Sequence, residues 1–476
     1  MPFFDSRLPG DIMQRIGDHQ RIEAFLTGTA VNTLFSVINL LVFSFVLLRY
    51  NNTIFFIFAG GSLLYLLWIR LFLRLRRQLD YKRFAIAGKE NNATVQLVYG
   101  IQEIKLNNAE NHFRWAWEGL QAGLFKLKFR SLALSQYQQT GAFFINQGKN
   151  LLITFVVARL VIDGQLTLGM MLAIQYIIGQ MNSPLEQLIG FTQQAQDAKI
   201  SLERLNDVHT VEEEAPATST SKGRLLSLPA DGTIDLQNVS FTYPGAGNEP
   251  VLKNISLRIP EGKVTAIVGI SGSGKTTLLK LLLRFYENYT GEIKIGPAKF
   301  STIHPRYWRS VCGAVMQDPY IFNDNFRKNI TLTDEPVDEE KLYSACRTSN
   351  LLSFIESLPL GFYTKLGAEG TVISGGQKQR LAIARAVYKS PHYLFLDEAT
   401  NSLDANNEKM ILENLQTFFT GRTVVVVAHR LSTVMNADKI IVLENGKVAE
   451  EGTHQQLSAR KGKYYELVKN QLELGN

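Results

Sequence analysis

Cysteine is almost missing from this chain of 476 residues: Cys312 and Cys346 are the whole supply, too few to build a disulfide framework. Both read as small buried apolar side chains in a reducing compartment. No cleavable signal peptide is visible either, since the first residues carry mixed charge and no short apolar segment precedes a cleavage site. The formal net charge of +7 invites a nucleic-acid reading. No basic–aromatic module gathers those cations into a patch, and no nucleic-acid partner is expected. Charge itself is scarce over residues 24–185, where long uncharged runs crowd together, whereas residues 230–476 read as water-soluble α/β protein.

A bilayer core takes about 20 apolar residues of helix. Four stretches reach that length, 26–48, 52–72, 134–162 and 166–188; Lys149 and Arg159 make the third the weakest. About twelve Lys and Arg crowd the segment Arg70–Arg130, and the two hairpin turns carry almost none. Basic loops stay cytoplasmic, which leaves both termini inside. The same segment has no proline and is expected to continue both flanking spans as long helices. Polar residues recur at helical spacing within the spans: Asn32, Ser36 and Asn39; Gln139, Asn146 and Asn150; Gln175, Asn182 and Glu186. Each set makes one polar stripe, which fits either a translocation cavity or hydrogen bonding between helices. Residues 1–205 thus form a transmembrane domain. Residues 206–232, with Glu212-Glu213-Glu214-Ala215-Pro216, read as a solvated linker, and 233–476 as a second domain.

In that second domain a strand at Val264–Val268 runs into Gly269-Ile270-Ser271-Gly272-Ser273-Gly274-Lys275-Thr276, a P-loop pattern with a Leu-rich helix behind it. Glycines let backbone N–H groups converge on phosphate oxygens with no Cβ in the way. Lys275 is placed to neutralise the β- and γ-phosphates and Thr276 to offer a hydroxyl to Mg²⁺. Tyr393-Leu394-Phe395-Leu396-Asp397-Glu398 is an apolar strand ending in two carboxylates. One suits magnesium organisation (Asp397) and one the polarisation of an attacking water (Glu398). A strand-end acidic pair can also simply cap the following helix.

The P-loop alone leaves the class open. Ile373-Ser374-Gly375-Gly376-Gln377-Lys378-Gln379-Arg380 narrows it, because this stretch resembles the L-S-G-G-Q signature of the ABC transporter family, with Ile373 as a mild departure. The resemblance implies an α-helical transmembrane bundle followed by an α/β P-loop ATPase domain that binds ATP and Mg²⁺. It assigns Tyr243, in Phe241-Thr242-Tyr243-Pro244, to adenine stacking, and Gly269, Ser271, Gly272, Ser273, Gly274, Lys275, Thr276 and Thr277 to ATP binding. Thr276, Gln317 and Asp397 fall to the metal. Glu398, Gln317 and His429 carry hydrolysis, His429 as the γ-phosphate switch, and Asp404 belongs to the D-loop. Ser374, Gly375, Gly376 and Gln377 would complete the ATP site of a second subunit, so the expected partner is another copy or a companion half-transporter.

The membrane half resembles exporters at Gly10-Asp11-Ile12-Met13-Gln14-Arg15-Ile16 and Tyr99-Gly100-Ile101-Gln102-Glu103-Ile104-Lys105, and Leu166-Thr167-Leu168-Gly169 with Ser183-Pro184-Leu185 is similar to the final span of bacterial peptidase-containing bacteriocin exporters and type I secretion ATPases. Such exporters have six spans; this sequence opens ahead of what would be the third, so the peptidase domain and first two spans are expected to be absent, with no leader cleavage by this chain. The implied function is ATP-driven export of peptide-like cargo across the cell membrane, with the ATPase domain cytoplasmic. The alternative is a membrane-anchored ATPase subunit that needs a companion chain.

Overall fold

The computed structural model describes every residue except 1, 6, 8, 211–224, 246, 368–369, 429–433 and 475–476. They fall into two units, one within residues 3–212 and one within 213–476.

The first unit is helical: α1 (Pro9–Ala24), a π-helical turn at Phe25–Thr29, α2 (Ala30–Tyr50), α3 (Asn52–Tyr99), α4 (Glu110–Ile162) and α5 (Leu168–His209). Short polar turns separate the long helices and cap them. The Asn51 side chain accepts from the Ile54 N–H at 3.2 Å, and Thr167 accepts from the Met170 N–H at 3.2 Å. Among the described residues three helical stretches are long and apolar enough to cross a membrane: Pro9–Tyr50, Asn52–Tyr99 and Glu110–Ile162. The predicted span at 166–188 lies in α5 and is not among these three, while the predicted span at 134–162 is.

The reason Lys149 does not break α4 is local. Its side chain is buried and lies against Gly61 of α3, where an added Cβ would meet the lysine Cγ at 2.7 Å. Its ammonium donates to Asn182 Oδ1 of α5 at 3.2 Å and sits 4.3 Å from the Phe58 ring centroid. Glycine also sets the approach of α3 and α4 at Gly141, where a Cβ would collide with the Trp68 ring. That indole is fixed by donation to the Gln138 carbonyl at 3.1 Å.

Several stripe residues are spent between helices. The Ser36 hydroxyl bonds Gln187, and Gln175 Nε2 donates to Thr154 Oγ1 at 2.9 Å. The side-chain carbonyls of Asn146 and Asn150 are buried with no hydrogen-bond partner among the described residues. Outside the predicted spans, Asp18 of α1 is fully buried and pairs with Arg21 at 2.9 Å and with Arg204 of α5 at 3.4 Å, with the Ser201 hydroxyl at 3.1 Å.

The second unit holds two sheets. An antiparallel one has the order β2-β1-β4-β5, from β1 (Ile234–Phe241), β2 (Leu252–Ile259), β4 (Tyr289–Ile295) and β5 (Ala298–Lys299). The other runs β10-β9-β3-β8-β7-β6, from β3 (Val264–Val268), β6 (Cys312–Val315), β7 (Tyr393–Asp397), β8 (Thr423–Val427), β9 (Lys439–Glu444) and β10 (Lys447–Gly452). All its pairings are parallel except β10 with β9. Its central strands read as continuous apolar runs because both faces are covered. One core, with Ile267, Phe395 and Val425, packs toward the antiparallel sheet and helix α6 (Lys275–Leu282). A second, with Val268, Leu396 and Val426, packs on the opposite face. A third apolar cluster joins α7 (Phe326–Thr331), α8 (Glu339–Thr348) and α9 (Gly375–Tyr388).

Both cysteines are buried, and burial pushes both thiols up, Cys346 to about 12. They are inert packing residues.

Candidate functional site

Parallel strands deliver loops to one edge of a sheet, where ligands of open α/β folds bind. The register does this here. Ile267 of β3 pairs with Val427 of β8, Val427 pairs with Asp397 of β7, and Leu396 of β7 pairs with Val315 of β6. The carboxyl ends of β3, β7, β8 and β6 therefore bring the glycine-rich loop, the two carboxylates, Ala428 and Gln317 to the same edge. Gln317 lies two residues past β6 and is exposed.

The loop between β3 and α6 needs its glycines. Gly269 and Gly274 have φ of +156° and +101°, and a Cβ would strike the Leu443 carbonyl at the first and the Leu252 side chain, at 2.7 Å, at the second. Lys275 opens α6, is buried, and donates to the Gly269 and Ile270 carbonyls, both at 2.9 Å. Burial lowers the lysine pKa, and the nearby Glu398 and Asp397 carboxylates oppose that shift. The loop is thus built around a cation at a helix N-terminus, a site for anions. Ser271 and Gly272 are exposed, whereas the Ser273 hydroxyl is buried and has no hydrogen-bond partner among the described residues. Thr277 bonds the Tyr243 hydroxyl at 3.0 Å, and the Tyr243 ring packs edge-on to Phe241 and Tyr286.

Asp397 ends β7 fully buried, and neither carboxylate oxygen has a well-formed hydrogen bond among the described residues. Burial raises its pKa, while the Thr276 hydroxyl and, more weakly, Lys275 pull it back. Glu398 follows with φ +51°, in the left-handed region that a branchless glutamate enters only at a cost. Its N–H donates to the Val427 carbonyl at 3.1 Å, and Oε2 accepts from Asn401 Nδ2 at 2.6 Å.

A residue not singled out from the sequence fixes this turn. Gln379, buried in α9, donates to the Glu398 carbonyl at 2.8 Å and accepts from the Ser402 N–H at 3.0 Å. The signature segment and the D-loop are thereby tied to the carboxylate turn within one chain. Ser374 caps α9 in a reciprocal capping box with Gln377, at 3.3 and 2.8 Å. Ser374 and Gly375 are exposed, and Gly376 leaves room for the Ser402 carbonyl, 3.0 Å from where its Cβ would be. Asp404 caps α10 (Ala405–Phe419), and bonds from Asn407 hold its carboxyl below the usual range. His429 lies outside the described residues.

Magnesium at a P-loop keeps most of its water ligands and takes few protein ligands. A buried unpartnered Asp397 carboxylate beside the Thr276 hydroxyl fits that demand; among the described residues no cluster of three His, Cys, Asp or Glu offers another metal site.

Two family models match the chain in the order of its two units: the ABC transporter transmembrane region over residues 1–185 and the ABC transporter model over residues 252–401. The chain belongs to the ABC transporter family. ABC transporter relatives include the alpha-hemolysin translocation ATP-binding protein HlyB of Escherichia coli O157:H7, 36% identical over 97% of this chain and 65% of that protein. The leukotoxin translocation ATP-binding protein LktB of Mannheimia haemolytica is 35% identical over 99% of this chain and 66% of that protein. The chain thus spans about two thirds of the length of the curated relatives it matches. A solved bacterial Atm1-family ABC exporter with ATP bound shares the architecture with a TM-score of 0.89 at 26% identity, covering 98% of this chain and 81% of that one. As in that family, the helical unit is a membrane region and the second unit a cytoplasmic ATPase domain.

Proposed function

We propose that this protein exports polypeptide cargo across the cytoplasmic membrane, driven by ATP hydrolysis at a site shared by two subunits. The single observation that carries the reading is the edge where the Lys275 loop, the orphaned Asp397 and the strained Glu398 turn meet. The loop amides and Lys275 hold the triphosphate. Tyr243 lies beside Thr277 of α6, where an aromatic face serves adenine. Thr276, Asp397 and Gln317 would hold a magnesium ion, which when bound would supply charge neutralisation on the phosphates. Glu398 orients and polarises the attacking water, and His429 follows β8 as the γ-phosphate switch.

Ser374, Gly375 and Gly376 open α9 on an exposed turn, with a hydroxyl, backbone N–H groups and the positive end of a helix. They complete the site of a second copy, head to tail. Spans 26–48, 52–72, 134–162 and 166–188 form this chain's part of the pathway. The relatives named for toxin translocation support polypeptide over lipid cargo.

The test is accumulation of a labelled peptide panel by inside-out vesicles containing the full chain. ATP-dependent uptake that disappears with Glu398→Gln is expected. Hydrolysis without uptake of any cargo would overturn the export reading while leaving the ATPase reading intact.

A further inference from the structure

The helical unit carries a groove of about 490 Å³ lined by α3 and α4, whose side chains the export reading assigns no role. Its wall is apolar, from Leu64, Leu67 and Leu71 of α3 and Ile145 of α4. All three leucines are more than half exposed, a lipid-facing surface in a membrane protein. At one end stand Arg70 and Arg74, four residues apart on one helix face and both exposed. Neither makes an ion pair with any described residue, although the same helix pairs Arg76 with Asp80. Trp68 lines the groove at the same level, its ring braced against the backbone of α4.

Depth follows from the chain direction. The predicted span 52–72 ends at this level, and the basic segment beyond it is cytoplasmic. The two arginines therefore stand at the inner headgroup layer with Leu71 between them, and Leu67 and Leu64 lie about one to two turns deeper. A groove with two free cations at headgroup depth and an apolar channel beneath is complementary to one molecule: a lipid with an anionic phosphate and acyl chains. We propose that this groove is a binding site for an anionic phospholipid of the cytoplasmic leaflet, its phosphodiester held by Arg70 and Arg74 and an acyl chain laid along Leu64, Leu67 and Ile145. A zwitterionic lipid would bring an amine to the same arginines and bind less well. The guanidinium pair suits phosphate because each fork can donate two bonds to one group.

The full chain, reconstituted in nanodiscs of equal phosphatidylglycerol and phosphatidylethanolamine and re-extracted, reports retained lipid by native mass spectrometry. Phosphatidylglycerol is expected to be retained preferentially. Each arginine removed should cost about fivefold in that preference, so R70Q/R74Q loses it by more than tenfold. Removing two cations elsewhere on the unit, in K126Q/K128Q, should change it less than twofold. R70K/R74K, which keeps the charge, should retain most of it, and a melting temperature of R70Q/R74Q equal to that of the wild type shows that the double glutamine variant is folded. Equal retention of both lipids by the wild type, unchanged preference in R70Q/R74Q, or equal loss in K126Q/K128Q overturns the site.

Discussion

At residue scale the decisive pair is Asp397 and Glu398, which share one backbone turn and have opposite surroundings. Asp397 is sealed from water, whereas Glu398 is half exposed on a left-handed residue. Glu398→Gln keeps shape and removes the base, so nucleotide binding should persist while turnover falls at least about 100-fold, measured by phosphate release. The raised pKa of Asp397 means the folded chain holds that proton more tightly than the unfolded one. Its contribution to stability is present at acid pH and is lost as pH rises through the raised folded value, so near neutrality the buried charge costs stability. Asp397→Asn should therefore stabilise the nucleotide-free full chain near neutral pH by about 1 kcal/mol, read as a raised melting temperature, with the difference narrowing as pH falls. A melting difference that does not depend on pH would show that burial of the charge is not the cause. The glycine-rich loop, Lys275 and the carboxylates were legible in the sequence because each is a short contiguous pattern with one chemical use. Gln379 was not, since its partners Glu398 and Ser402 lie 19 and 23 residues further along the chain. Gln379→Ala should lower kcat about tenfold with KM for ATP within twofold, because it frees the turn and touches no phosphate.

At the scale of elements, α9 serves two roles that substitutions can separate. Ser374 caps the helix and presents its hydroxyl outward. Ser374→Ala should cost about 1 kcal/mol of stability through the lost cap. Ser374→Asp keeps the cap, so its melting temperature should stay near that of the wild type, yet its carboxylate repels phosphate and ATP turnover should collapse. In the helical unit α1 is held to α5 through Asp18. Removing that carboxylate in Asp18→Ala strands Arg204 and should destabilise the full chain by about 3 kcal/mol in thermal unfolding. Strands β3, β7 and β8 were readable as uninterrupted apolar runs, and the long helices as charge-poor stretches between capping turns. The ranking of spans was not readable. Periodicity counts Lys149 as a charge in lipid, while the fold gives it Gly61, Phe58 and Asn182 as neighbours. Those neighbours come from two other helices, and no window along the chain contains them.

At the scale of the whole molecule the account depends on association. The Lys275 loop and the Ser374 turn are both built, and the Ser374 turn engages its own helix and Ser402. Under the proposed function, a site shared between copies would give each turn its ligand and make hydrolysis a property of the pair. Co-expression of two inactive forms of the full chain, Lys275→Ala and Ser374→Arg, measures this directly. Each alone has both composite sites broken, whereas a mixed dimer joins an intact loop to an intact turn at one site. With random pairing, about half of the dimers are mixed and half of their sites work, so ATP turnover should return to about a quarter of the wild-type rate. Turnover no greater than that of the two variants assayed separately would show that the site does not form between subunits.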